Sequence, residues 1–160
     1  MKFSHDLTYD APPEAVLRML ADPAFRERVC DATHAVRRDV SVDRSGEGMT
    51  VLVDQTRSTD GAPPIAQKFV GTEIRIVQRE SWTDATSATL VIEVPGKPAR
   101  LTGGIRLEAR GGATVQEVRG DVEVSIPFLG GKLESLVADT FHAALRTEER
   151  VGRARLAGDG

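Results

Sequence analysis

The sequence predicts an α+β fold in which a curved antiparallel sheet of seven strands wraps around one long C-terminal helix. Two observations lead to this prediction. Apolar and polar residues alternate in strand fashion from about residue 35 to residue 126, as expected for strands with one buried face. A helical pattern then runs from Lys132 to Leu156, with apolar residues three and four positions apart. Because strands twist, a sheet this long curls, and its concave face can hold the helix.

The first part of the chain predicts one strand followed by two short helices. Residues 2–10 alternate between the two sides of a strand. Pro12 suits the first position of a helix, and Glu14 suits the positive end of the helix dipole. Asp22 followed by Pro23 is a second helix start, with Asp22 as the N-cap. We expect these two helices to close one end of the curved sheet.

Six further strands follow, and most are joined by short turns. The turns fall near residues 45–48, 83–85, 95–98 and 111–112, where Gly, Pro, Ser and Asp are concentrated. Consecutive strands joined by short turns pair in antiparallel fashion. Between the third and fourth strands, residues 58–71 are less regular and contain Pro63-Pro64. We interpret this segment as a short helix or a lid over the sheet edge.

The last helix carries one apolar stripe, which is interrupted before the helix ends. The stripe breaks at Glu148 and Glu149, so we expect the final turns to run past the sheet into solvent. Glu149 and Arg153 are spaced to form an ion pair on the helix surface. The predicted organisation is a single domain over residues 1–156 and a short tail over residues 157–160. The apolar stripe consists of Leu133, Leu136, Val137, Phe141, Ala144 and Leu145.

Composition narrows the classes of protein that this chain can represent. A length of 160 residues fits one domain with a core of its own. The net charge of −3 argues against a nucleic-acid partner. The single cysteine, Cys30, excludes an internal disulfide and fits a reducing cytoplasm. No run approaches the roughly 20 apolar residues that span a bilayer, and the N-terminus lacks a signal-peptide pattern. We therefore expect a cytoplasmic protein without an integral membrane segment.

The order of elements resembles the helix-grip, START-like superfamily, also called SRPBCC, which includes polyketide cyclase and pollen-allergen relatives. Residues 9–16, Tyr-Asp-Ala-Pro-Pro-Glu-Ala-Val, resemble the junction between the first strand and helix of that group. Asp22-Pro23 resembles the start of its second helix, and residues 126–134 resemble the start of its last helix. Within the superfamily, the chain looks most similar to a small bacterial family of unknown function. The resemblance implies a cavity for a hydrophobic molecule and no shared set of catalytic residues.

Several polar residues fall on strand faces that are otherwise apolar, which indicates a polar cavity or a bound polar group. A buried polar group without a hydrogen bond costs about 1–3 kcal/mol, so these side chains need partners. Two alternatives remain open for each, namely a bulge that shifts the register or a position at a wet strand end. Gln78 and Glu80 stand out because Ile76 and Trp82 fix the register around them. The full set is His5, Arg38, Gln55, Gln78, Glu80 and Gln116.

Aromatic and aliphatic residues near the predicted gap between sheet and helix complete a candidate ligand site. The chain has only seven aromatic residues of the Phe, Tyr and Trp types, so the gap need not be completely filled. Aromatic residues in such a gap are also typical of plain core. The predicted ligand-binding residues are Arg38, Phe69, Gln78, Glu80, Trp82, Phe128, Val137 and Phe141.

One acid–base pair can be drawn from the sequence. If Glu80 is buried, its pKa should be raised unless a cation such as Arg38 pairs with it. A carboxyl group of this kind near His5 could act as a general acid or base. His5, His34 and His142 lack the close spacing of a zinc motif, so we predict neither a metal site nor a cofactor.

Three functional hypotheses follow, in order of preference. The first is binding of a small hydrophobic or lipid-like molecule between the sheet and the last helix. The second is acid–base catalysis on such a molecule through Glu80 and His5. The third is binding of another protein through residues 58–71 or an exposed part of the last helix.

Overall fold

The computed structural model describes residues 1–158, and these form seven strands and four helices. The tail predicted over residues 157–160 falls partly on residues 159 and 160, which lie outside the described residues. The strands are β1 (Lys2–Tyr9), β2 (Ala35–Ser45), β3 (Gly48–Ser58), β4 (Glu73–Trp82), β5 (Ser87–Glu93), β6 (Ala99–Arg110) and β7 (Ala113–Val124). The helices are α1 (Pro13–Leu20), α2 (Pro23–Ala32), α3 (Pro64–Val70) and α4 (Gly130–Leu156).

The seven strands form one antiparallel sheet in the order β1-β7-β6-β5-β4-β3-β2. Neighbours from β2 to β7 are consecutive in the chain, which follows from their short connections. β1 pairs with β7 from Lys2 opposite Asp121 to Tyr9 opposite Thr114, so the two ends of the strand region meet. The predicted fold class, a seven-stranded antiparallel sheet with one long C-terminal helix, is confirmed.

Helices α1 and α2 supply part of the core at one end of the sheet. Val16, Met19 and Leu20 of α1 are buried. The side chain of Asp22 caps α2, because its Oδ1 accepts a hydrogen bond of 3.0 Å from the backbone N–H of Ala24. Phe25 of α2 is completely buried in the same core. The two predicted short helices are therefore present, each with a proline in its first turn.

The C-terminal half of α4 does not run into solvent, and that prediction was wrong. Glu148 and Gly152 are both buried. Gly152 allows the helix to approach β1, since a Cβ atom there would lie 2.7 Å from Cε1 of Tyr9. The carboxylate of Glu149 accepts a 2.7 Å hydrogen bond from the backbone N–H of Thr8 and forms the predicted ion pair with Arg153. The helix thus packs along nearly its whole length.

The start of β2 also departs from the predicted alternation. The alternation that begins near residue 35 predicts Val36, Val40 and Val42 on the inner face, but Val36 is 51% exposed. The pairing of β2 with β3 shifts between Ala35 and Arg37, which is the signature of a β-bulge. Val40 and Val42, after the shift, pack against the core as predicted.

Within residues 58–71, the structure contains the short helix α3. None of its seven residues, all within the described chain, is buried. Two hydrogen bonds hold the ends of the segment together: Thr59 Oγ1 donates to the carbonyl of Gly71 at 2.6 Å, and Gln67 Nε2 donates to the carbonyl of Thr59 at 2.8 Å. Whether the segment opens and closes stays a prediction.

The close contact of β6 with β7 leads to a first prediction. Gly103 faces Gly120, and a Cβ atom on Gly103 would lie 2.5 Å from Gly120 Cα, a backbone atom that cannot move aside easily. Gly103→Ala should lower the free energy of unfolding by about 1–3 kcal/mol. Gly112→Ala, where no atom lies within 4 Å, should change it by less than about 0.5 kcal/mol. Urea unfolding measures both, and equal effects would contradict the packing argument.

Candidate functional site

Two adjoining cavities lie between the sheet and α4. The inner cavity has a volume of about 50 Å³ and a mixed polar and apolar lining. The second, which we call the groove, has a volume of about 240 Å³ and lies beside α3. Arg57, Ile76 and Phe141 line both, so they form the boundary between the two spaces.

The inner cavity collects most of the polar residues that the sequence placed on apolar strand faces. The alternation of β3 and β4 directs these side chains inward, between buried residues such as Val53 and Ile76. At about 50 Å³ the cavity has room for a few water molecules and is too small for a hydrophobic ligand. The predicted residues that line it are Gln55, Gln78, Glu80 and Gln116.

The cation that pairs with Glu80 is Arg26, not Arg38 as suggested from the sequence. The Glu80 carboxylate receives two parallel hydrogen bonds from Arg26 of α2, at 2.7 and 2.8 Å, and both side chains are almost fully buried. The Nε of Arg26 donates to the carbonyl of Leu20 at 2.9 Å. Gln78 and Trp82 also donate to the Glu80 carboxylate, at 2.6 and 2.9 Å. Four donors therefore fix this one group.

The environment keeps Glu80 ionised. Burial alone would raise the pKa of Glu80, but the charge of Arg26 and the hydrogen bonds from Arg26, Trp82 and Gln78 outweigh burial and lower it. For Arg26, desolvation would lower the pKa, and the attraction of Glu80 raises it instead. Glu80 is therefore a structural carboxylate with its oxygens occupied, which does not suit it to act as a general acid or base.

A second carboxyl group, that of Glu148 on α4, lies in the same interior. Burial raises the pKa of Glu148, with the charge of Glu80 acting in the same direction and that of Arg26 against it. Gln116 Nε2 donates to Glu148 at 3.3 Å. The Oε1 of Gln116 and the hydroxyl of Tyr9 are buried without a hydrogen-bond partner among the described residues. This part of the interior favours a neutral carboxylic acid.

The groove is more apolar than the inner cavity. Its walls come from β3, β4 and β6, from Val94 just after β5, from α3 with the residues before it, and from the first half of α4. Phe69, Val137 and Phe141, three of the predicted ligand-binding residues, line it. Other apolar residues in its wall are Ala62, Ala66, Val70, Ile74, Val94, Ala99, Leu133 and Leu136.

His5 lies outside both cavities and has a partner of its own. Its Nδ1 is 2.7 Å from Nδ1 of His142, so one ring donates a hydrogen bond to the other. The His142 ring also stacks on Phe3, with ring centroids 4.4 Å apart. The structure therefore does not bring His5 onto the cavity that Glu80 lines.

Three further predicted site residues lie elsewhere. Arg38 is on the surface, on the edge strand β2, where it pairs with Glu27 and Asp31 of the neighbouring helix α2. Phe128 is fully exposed, since its backbone adopts a φ of 68° that turns the chain into α4. Trp82 is buried against Glu80 and lines neither cavity. Arg38 and Phe128 are thus removed from the candidate site.

The structure adds three charged residues that the sequence interpretation missed. Arg57 follows Gln55 by two positions on β3, so the same alternation could have placed it on the inner face. Glu148 continues the spacing of the α4 stripe from Phe141 and Leu145, but its charge led us to end the stripe there. Arg26 had no distinguishing signal, because it lies in a short helix with several other charged residues.

A family model described as "Protein of unknown function (DUF2505)" matches residues 4–156. The chain belongs to this family. A comparison with curated proteins finds no match. Among the described residues, no helix has the length and apolar character needed to cross a membrane.

Solved structures of the START-like superfamily share the fold. A START superfamily protein from Mycobacterium smegmatis aligns over 94% of this chain and 96% of its own, with 14% identity and a TM-score of 0.60. Norcoclaurine synthase from Thalictrum flavum, in complex with dopamine and hydroxybenzaldehyde, aligns over 98% and 87%, with 13% identity and a TM-score of 0.61.

The di-domain ARO/CYC protein StfQ from the steffimycin biosynthetic pathway aligns over 98% of this chain, with 13% identity and a TM-score of 0.67. The alignment covers 52% of StfQ, so the chain spans about half the length of that protein. The resemblance to the helix-grip superfamily, read from the order of elements, is confirmed.

The buried ion pair leads to a second prediction. Arg26→Met should lower the free energy of unfolding by about 3–5 kcal/mol, because it leaves the Glu80 carboxylate buried without its cation. The double variant Arg26→Met/Glu80→Met should cost less than the single one. Arg75→Met removes a similarly short pair with Asp54 on the exposed face and should cost less than about 1 kcal/mol. Similar losses in all three variants on urea unfolding would contradict the argument.

The histidine pair leads to a third prediction. Burial, then His142 and Arg146, lower the pKa of His5 below its ordinary 6.5, against the opposing charges of Glu149 and Asp6. The unfolded chain then binds this proton more readily than the folded protein. The free energy of unfolding should fall as the pH drops below 6.5 and level off below the folded-state pKa. In urea titrations, the free energy of unfolding of His5→Gln should decrease less over this pH range than that of the wild type. An equal decrease would contradict the prediction.

Proposed function

We propose that the protein binds a small, largely hydrophobic molecule in the groove between α3, the sheet and α4. The observation that carries the proposal is the groove itself, a space of about 240 Å³ with a mainly apolar lining. Its volume lies just below the roughly 300–1,000 Å³ of small-molecule pockets, so the ligand is small. The inner cavity, at about 50 Å³, is left for water or for a polar end of the ligand.

The position of the groove supports this function. The first half of α4 forms one wall, and α3, which has no buried residue, forms another. Apolar surface in such a groove gains about 25 cal/mol per Å² when a ligand covers it. Norcoclaurine synthase, which has the same fold, was solved with two small molecules bound. That likeness supports the fold and leaves the ligand of this chain to experiment.

Catalysis through Glu80 and His5 is not part of the proposal. The Glu80 oxygens accept hydrogen bonds from Arg26, Gln78 and Trp82, and His5 is paired with His142. Binding of a protein partner is not favoured by a specific observation either. Phe128 is exposed, but a single exposed aromatic residue is common on protein surfaces.

The fourth prediction tests the groove with N-phenyl-1-naphthylamine, a neutral apolar dye whose fluorescence rises in apolar surroundings. The wild type should bind the dye in the groove. Ala66→Phe should weaken binding at least about tenfold, because Ala66 of α3 lines the groove and the added ring fills it. Fluorescence titration measures the affinity of each variant.

Lys68→Phe is the matched control, since Lys68 is exposed on the same helix and lines neither cavity. It introduces the same ring without filling the groove, so its affinity for the dye should equal that of the wild type. Absence of dye binding to the wild type, or equal binding to the Ala66→Phe variant, would overturn the proposed function.

A further inference from the structure

Arg57 is an inward-facing cation that the protein leaves without an acidic partner. It lies at the end of the inner row of β3, opposite Ile74 of β4, and it lines both the inner cavity and the groove. Among residues 1–158, no carboxylate oxygen lies within 4.0 Å of its side-chain nitrogens. Its Nε donates a hydrogen bond of 3.2 Å to Oε1 of Gln55.

Another inward-facing arginine, Arg26, does have an acidic partner, so the lack of one at Arg57 is not general in this interior. Arg26 uses its Nη atoms on Glu80 and its Nε on the carbonyl of Leu20, so its polar groups are matched. The Nη atoms of Arg57 make no hydrogen bond to a described residue, and burial lowers its pKa, with Cys30 acting in the opposite direction. Arg57 is half-buried, and partial burial of an unpaired charge is unfavourable, so a partner supplied from outside would be bound favourably.

We infer that Arg57 anchors the negatively charged end of the ligand, and that the ligand is a small hydrophobic monocarboxylic acid. This inference rests on the proposed function, because it places the apolar part of the same molecule in the groove. The guanidinium group offers parallel N–H donors that match the two oxygens of a carboxylate. The Gln55 side chain, bonded to Nε, holds the guanidinium at the boundary of the two cavities.

A single negative charge suits this site better than a phosphate group. Arg57 is the one cation that lines the groove, and the inner cavity adds the carboxyl groups of Glu80 and Glu148 but no second cation among the described residues. A phosphate of two charges would stay partly uncompensated there, because Arg57 supplies one positive charge. Beyond Arg57, the groove continues along Val137 and Leu133 of α4, which suits a short hydrocarbon chain or ring.

Competition between the dye and two ligands of equal chain length tests the inference. Decanoate and 1-decanol differ in the charged group and share the hydrocarbon chain. In Arg57→Met, the affinity for decanoate should fall at least about tenfold, since a charge-assisted pair is lost. The affinity for 1-decanol should change less than about threefold. Arg75→Met, on the opposite face of the sheet, is the control and should bind both ligands as the wild type does.

The outcomes separate the two proposals. If the dye does not bind to the wild type, the proposed function fails and takes this inference with it. If the dye and 1-decanol bind but Arg57→Met leaves decanoate affinity unchanged, the proposed function is supported and the role of Arg57 as the anchor is refuted. If Arg57→Met does not fold, Arg57→Lys serves instead, because it keeps the charge and loses the planar fork. An intermediate loss for decanoate alone would then support the anchor, and no loss would overturn it.

Discussion

The ion pair between Arg26 and Glu80 is the interaction on which the interior of this protein depends. It joins α2 to β4 across the end of the curved sheet, with both charges out of water. Desolvation of two charges is tolerated only when their geometry and remaining hydrogen bonds are good. Leu20, Gln78 and Trp82 provide those bonds, so their positions are tied to the pair. A shift of α2 would move Arg26 away and leave the buried Glu80 carboxylate without its cation.

That pair also decides what kind of space the sheet and α4 enclose. An interior with a charged group at its centre cannot be packed with hydrocarbon alone, and the neighbouring positions carry Gln55, Gln116 and Glu148. The polar side chains gather at the end nearest α2, and the apolar ones gather toward α3. The cavity is therefore divided into a small polar part and a larger apolar groove, and Arg57 lies at the division.

Sequence patterns predicted the backbone better than the site, for physical reasons. Strand alternation and the stripe of α4 report which face is buried, so the seven strands and the long helix could be assigned. The same alternation placed Gln55, Gln78, Glu80 and Gln116 inside. Local patterns do not show which residues from distant segments form ion pairs. The sequence therefore suggested Arg38 as the partner of Glu80, and the structure has Arg26 in that position. Phe128 was misplaced because a left-handed backbone conformation in a non-glycine residue leaves no mark on the pattern.

The helix α3 has a consequence for how a molecule could reach the groove. It contributes no buried side chain to the core, and its segment is closed by the hydrogen bonds of Thr59 and Gln67. Regions with few buried contacts open at a free energy far below that of global unfolding. If the groove binds the proposed ligand, local opening of residues 58–71 is the predicted route of entry and exit, with the sheet and α4 staying folded. On that prediction, the rate of ligand exchange would depend on residues 58–71, and the stability of the fold would depend on the sheet and α4.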